Sequence, residues 1–204
     1  MNNIAKLLII FLIGIGCGVI FYDDLHPITL QLLNKPLSNR QEDKVENIHK
    51  LSSAKINLCF TPPLNCGRLI AQEINGAKSS IYMQAYGLTH PDITKALIKA
   101  KERGVDVRII VDRSNLTQKY SKIKDLRQAG IEVSIDIVPG IAHNKVVILD
   151  RQKTVSGSFN FTTSADKRNT ENVLIIDDVQ IADRYLQNWL YRKEANNVKI
   201  FRKQ

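Results

Sequence analysis

The stretch Ile141–Ile176 reads IAHNKVVILDRQKTVSGSFNFTTSADKRNTENVLII. Lys145–Leu149 is a run of aliphatic residues, and Val155–Ser156 resumes after the polar Asp150-Arg151-Gln152-Lys153, so the two predict a hairpin. Asn172–Ile176 predicts a further buried strand. Around these strands polar residues recur at fixed offsets. His143 and Lys145 stand two apart where the first strand begins, which places both side chains on one side of it. Ser158 and Asn160 repeat that spacing after Gly157, and Glu171 precedes the last strand. An imidazole, an ammonium, a hydroxyl, a carboxamide and a carboxylate are thereby gathered. A phosphoryl group in a trigonal-bipyramidal transition state needs such a set: a nucleophile, and donors fixed around its non-bridging oxygens.

Roles follow from the chemistry of each group. Attack on phosphorus requires an unprotonated nitrogen of His143, and a carboxylate on the other ring N–H orients the ring and stabilises the charge that develops. Glu171 is the expected orienter. Lys145 and Asn160 are expected to donate to the phosphate oxygens, with Ser158 adding a hydroxyl. Asp150 belongs to the catalytic group by position. Because it sits where the strand turns into its hairpin, it reads as structural support rather than a phosphate contact. Gly140, beside Pro139, shapes the loop that delivers His143.

Outward from this stretch, short apolar strands alternate with helices. Ile56–Phe60, Ser80–Tyr86, Val105–Val111 and Ile131–Val138 read as strands. Gly67–Asn75, a stripe of Ile93, Leu97, Ile98 and Ala100 ended by Gly104, Gln118–Ala129, and Ile181–Lys193 with Trp189 read as helices. The pattern predicts an α/β fold, a mixed sheet flanked by helices, over residues 55–204. No internal repeat is visible. Tyr82, Met83 and Tyr86 belong to a core strand by pattern, and His90 before Pro91 reads as a helix start. Trp189 reads as core or dimer packing.

The N-terminal part differs in kind. Leu7–Tyr22, LLIIFLIGIGCGVIFY, carries no charge, with Lys6 before it and Asp23 and Asp24 after it. As a helix it spans roughly 24 Å, short of a hydrocarbon core of about 30 Å. Residues 1–24 therefore read as a signal peptide or a membrane anchor, with the rest of the chain outside the cytoplasm. Residues 25–54 are polar and irregular, a linker. Cys59 and Cys66 bracket a proline-bent loop and are either a disulfide or two small hydrophobes. The histidines His26, His49, His90 and His143 show no zinc spacing, so catalysis is expected to need no metal and no cofactor. Apolar residues at 44% and charged residues at 24% exclude a disordered chain. A net charge of +9 favours a polyanionic partner, a phospholipid membrane or nucleic acid. Arg113, Lys119, Lys122 and Lys124 could meet phosphates or headgroups, or form a solvated face.

HNKVVILD (143–150), GSFN (157–160) and NTEN (169–172) resemble the HxKxxxxD–GSxN signature of the phospholipase D superfamily. The segments CFTPPLNC, SIYMQAYGLT, VDRSNLTQKYSK, VPGIAHNK and GSFNFTTSADKRNTENV are similar to its secreted members in Rickettsia and, more distantly, to its plasmid-encoded endonucleases. The resemblance implies a phosphohistidine at His143, a second histidine that protonates the leaving group, and water that resolves the intermediate without metal. Where two HxK motifs are the rule in the large phospholipases, this chain has one. A homodimer with a shared active site is therefore implied. The expected reaction is phospholipase D cleavage of a phosphatidyl lipid such as phosphatidylcholine to phosphatidic acid and headgroup. Non-specific endonuclease action is the alternative, and a binding module without catalysis is disfavoured by the complete motif.

Overall fold

The computed structural model describes residues 54–201, with side chains through Asn196; the expected signal or anchor segment and all but the last residue of the linker lie outside the described residues. Seven strands form one sheet in the order β1-β7-β6-β5-β2-β3-β4. Their ranges are β1 Lys55–Thr61, β2 Ser80–Ala85, β3 Asp106–Asp112, β4 Glu132–Asp136, β5 Lys145–Leu149, β6 Lys153–Gly157 and β7 Glu171–Asp177. The β2-β3-β4 set is parallel and every other pairing is antiparallel, so the sheet is mixed as expected. Parallel neighbours need crossovers. Helix α2, Pro91–Glu102, links β2 to β3, and α3, Ile123–Gln128, links β3 to β4. Helix α1, Cys66–Gly76, follows β1; α4, Thr163–Lys167, follows β6; and α5, Val179–Phe201, ends the described chain.

Every residue of β5 is buried, because both faces of the sheet are covered. On one face Ile70, Ile74, Ile93 and Leu97 of α1 and α2 pack against Ile81, Met83, Ile109 and Val147. On the other, Ala182, Leu186 and Trp189 form one stripe of α5 over Ile110, Val146 and Ile148. Trp189 is core: its indole N–H donates to the Met83 carbonyl at 3.0 Å. Cys59 and Cys66 are joined as a disulfide.

Three local readings change. The helix expected over Gln118–Ala129 begins only at Ile123, because Lys122 gives its N–H to the Leu88 carbonyl and Asn115 is buried in side-chain bonds of its own. Residues 113–122 instead form a 3-10 turn, Arg113–Leu116, and a loop. Helix α4 had no sequence signal beyond its cap, where Thr162 accepts from Ala165 N at 3.1 Å. Helix α5 also runs further each way than Ile181–Lys193.

Candidate active site

The strand registers fix which loops meet. Thr61 pairs with Glu171, Gly157 with Val173, and Ala85 with Lys145. One end of the sheet therefore collects the ends of β1, β2 and β6 and the beginnings of β5 and β7. His143, Lys145, Ser158, Asn160 and Glu171 all lie at that end. Asp150 does not: the length of β5, roughly 17 Å at about 3.4 Å per residue, separates it from them.

Two bonds hold the His143 loop. Ala142 N donates to the Asp112 carboxylate at 2.7 Å, and Tyr86 N to the Asn144 carbonyl at 2.9 Å. Burial opposes ionisation of Asp112, but N–H donors from Ser114 and Ala142 outweigh it and hold its pKa below the ordinary value. The His143 imidazole is exposed and meets the Tyr86 ring edge-on, centroids 4.5 Å apart. The Lys145 ammonium stands 5.2 Å from the centroid of that ring and donates to the His143 carbonyl at 2.8 Å. Imidazole and ammonium thus share one aromatic wall, as their two-residue spacing predicts. Burial pushes the Lys145 pKa down, and the charge of Glu171 pushes it back up.

Gly157 lets the second half of the site close. Its φ is 143°, and a Cβ there would stand 2.3 Å from the Asn172 carbonyl oxygen. Ser158 donates to Glu171 Oε2 at 2.5 Å and accepts from Asn172 N at 3.0 Å. Asn169 Nδ2 donates to Glu171 Oε1 at 2.8 Å. Asn160 keeps a buried Oδ1 without a hydrogen bond among the described residues. Its segment lies against the Tyr86 loop, since a Cβ on Gly87 would meet Thr162 Cγ2 at 3.0 Å and Asn160 Cβ at 3.9 Å.

One expectation is not met within a single chain, and another is corrected. Among the described residues Glu171 makes no bond to His143 of its own chain; its two carboxylate oxygens each accept one bond, from Ser158 and from Asn169. Asp150 is no part of the catalytic cluster. Its carboxylate accepts from Lys78 N, Ser79 N, Ser79 Oγ and Ser80 N, in the structural role its place at the hairpin suggested. His90 caps α2 through Asp92 N and is buried against Asp166, with Nε2 3.5 Å from Oδ2. Tyr86 was missed, because it reads as the last core residue of the expected strand Ser80–Tyr86, whereas β2 ends at Ala85 and leaves it beside His143. Among the described residues no group of three or more His, Cys, Asp or Glu side chains could hold a metal ion.

The family model "Cardiolipin synthase, PLD-like domain" matches residues 70–191. A phospholipase D of Rickettsia bellii is 52% identical over 198 residues, 96% of this chain and 97% of its own. The chain belongs to the phospholipase D superfamily. The phospholipase D family member Nuc from Salmonella typhimurium superposes with a TM-score of 0.66 at 36% identity, over 70% of this chain and 95% of Nuc. The mitochondrial cardiolipin hydrolase of Mus musculus is 35% identical over 113 residues, 55% of this chain and 51% of its own. The mixed sheet is that of the family's solved structures, and the named relatives make the chain a phospholipase D-type phosphodiesterase, a hydrolase.

Proposed function

We propose that this phosphodiesterase is a phospholipase D that cleaves a phosphatidyl lipid, such as phosphatidylcholine, to phosphatidic acid and free headgroup. The observation that carries the reading is the exposed His143 imidazole beside the buried Lys145 ammonium on one Tyr86 wall. The imidazole attacks phosphorus, a P–N bond forms and the P–O bond to the headgroup breaks, with the leaving oxygen taking a proton. Water then attacks the phosphohistidine, the P–N bond breaks, and the imidazole is restored. Lys145 and Asn160 donate to the phosphate oxygens as charge accumulates on them, and the Ser158 hydroxyl, whose proton goes to Glu171, steadies that carboxylate instead. No step calls for a metal or a cofactor.

Two further parts belong to this proposal. Among the described residues the other histidine, His90, is buried as the cap of α2 against Asp166, so a histidine acid comes from a second copy across a two-fold axis. Glu171, held by Ser158 and Asn169 in its own chain, is the carboxylate that copy offers to the facing imidazole. Ile56, Leu58 and Phe60, exposed in alternation along β1 up to Thr61 beside Glu171, give such a dimer an apolar surface. The chain works outside the cytoplasm, exported or anchored through residues 1–24, a location that suits the Cys59–Cys66 disulfide.

Relatives named phospholipase D along nearly the whole chain support lipid over nucleic acid. The net charge of +9 supports the alternative, a non-specific endonuclease. The full chain, given phosphatidylcholine vesicles and plasmid DNA side by side with a chelator, is expected to release choline and leave the DNA intact. Nicked DNA without choline would reverse the assignment.

A further inference from the structure

Beside the catalytic loop, residues 113–122, of which 118–122 were expected to be helical, present large apolar side chains to solvent. Leu116 is 59% and Tyr120 67% exposed, and Ile141, two residues before His143, is 58% exposed. The segment is a ridge between two open grooves of about 460 and about 500 Å³, with Leu116 lining one, Tyr120 the other, and Gln118 both. Within residues 113–127 five cations, Arg113, Lys119, Lys122, Lys124 and Arg127, stand against one carboxylate, Asp125, which Lys122 meets at 3.0 Å; Lys124 and Arg127 line the groove of Leu116, Lys122 lines that of Tyr120, and Lys119 stands over the Tyr120 ring.

The ridge is tied to the nucleophile through Asn115. Asn115, 1% exposed, donates to the carbonyls of Tyr86 at 2.5 Å and Asp112 at 3.0 Å and accepts from Leu88 N at 3.2 Å. Tyr86 is the wall under His143, and Asp112 is the carboxylate that holds Ala142. Displacing the ridge displaces the His143 loop, so whatever the ridge rests on is registered against the reacting atom.

We infer that Leu116, Tyr120 and Ile141, with their ring of cations, form a docking surface for an anionic phospholipid bilayer, which sets His143 at headgroup depth. Exposed apolar tips amid lysine and arginine fit an interface whose outer layer is anionic and whose inner layer is hydrocarbon. Tyrosine suits that boundary, with an apolar ring and a polar hydroxyl. Single-stranded nucleic acid asks instead for stacking faces, and Leu116 and Ile141 have none. The inference rests on the phospholipase reading and adds how the lipid is reached.

The test compares the full chain with its Leu116→Ser/Tyr120→Ser variant. The substrates are vesicles of phosphatidylcholine mixed with phosphatidylglycerol, and a short-chain phosphatidylcholine dissolved below its micelle concentration. The variant should lose about tenfold on vesicles and keep its rate on the dissolved lipid within about twofold. An unchanged vesicle rate, or an equal loss on both substrates, overturns the docking surface. So does a variant that loses plasmid nicking and keeps its vesicle rate, which assigns the ridge to nucleic acid. If the parent chain releases no headgroup from either lipid, the phospholipase reading has failed, and sedimentation with the same vesicles judges the surface alone. Weaker pelleting of the variant then supports it, and equal pelleting overturns it.

Discussion

Lys145 carries its ammonium on a residue 8% exposed, at the end of a strand whose other residues are aliphatic. Burial lowers its pKa more than Glu171 raises it. Between that lowered value and the ordinary one the unfolded chain binds more protons, so this residue makes the fold more stable as pH rises through the window. Below the window it destabilises the fold while supplying the donor the phosphate needs. Lys145→Met should therefore stabilise the protein near neutral pH by about 1 kcal/mol in urea melts, with the gain shrinking as pH rises. The same change should lower kcat by about a hundredfold to a thousandfold. In the parent, the alkaline limb of the rate profile should fall at a lower pH than an ordinary lysine would give. A destabilised but active Lys145→Met protein would mean that the ammonium is only a structural tie to the His143 carbonyl.

At the far end of the same strand, Asp150 works on elements rather than chemistry. Burial raises its pKa, but donors from Ser79, Ser80 and Lys78 outweigh that and keep it below the ordinary value. Its stabilising effect is thus present above the unfolded carboxylate value and lost as pH falls through the folded one. Asp150→Ala should cost about 2–3 kcal/mol near neutral pH and much less in acid, while kcat of the folded protein changes by less than about tenfold. Melts at the two pH values check the first part, and rates scaled to the folded fraction check the second. The strands that carry the motif, and the side of them that bears His143 and Lys145, were legible because a two-residue period needs no tertiary information. Tyr86 was not legible, since it reaches His143 only through the β2–β5 pairing. Residues 118–122 read as the start of a helix by composition; what unwinds them is the Leu88 carbonyl, far away in sequence. The hydrogen bonds of Glu171 likewise depend on where β6 and β7 meet.

At the scale of the whole molecule, the proposed reaction uses a nucleophile and an acid, and among the described residues His143 is the one histidine with an exposed imidazole. A species of two copies should therefore be the active one in light scattering. Co-expression of equal amounts of parent and His143→Asn chains should leave about a quarter of the parent rate per total chain, because only parent pairs hold both imidazoles. An active monomer would leave about half. The net charge of +9 and the exposed ridge beside His143 give the same molecule a way onto an anionic surface. The covalent step itself can be read by rapid acid-free quenching of turnover on a phosphatidyl lipid labelled in its phosphate, with chelator present, followed by peptide mapping. A phosphatidyl adduct on His143, absent from His143→Asn, is the expected result. Continued turnover without an adduct, or an adduct on any other residue, would contradict His143 as the nucleophile.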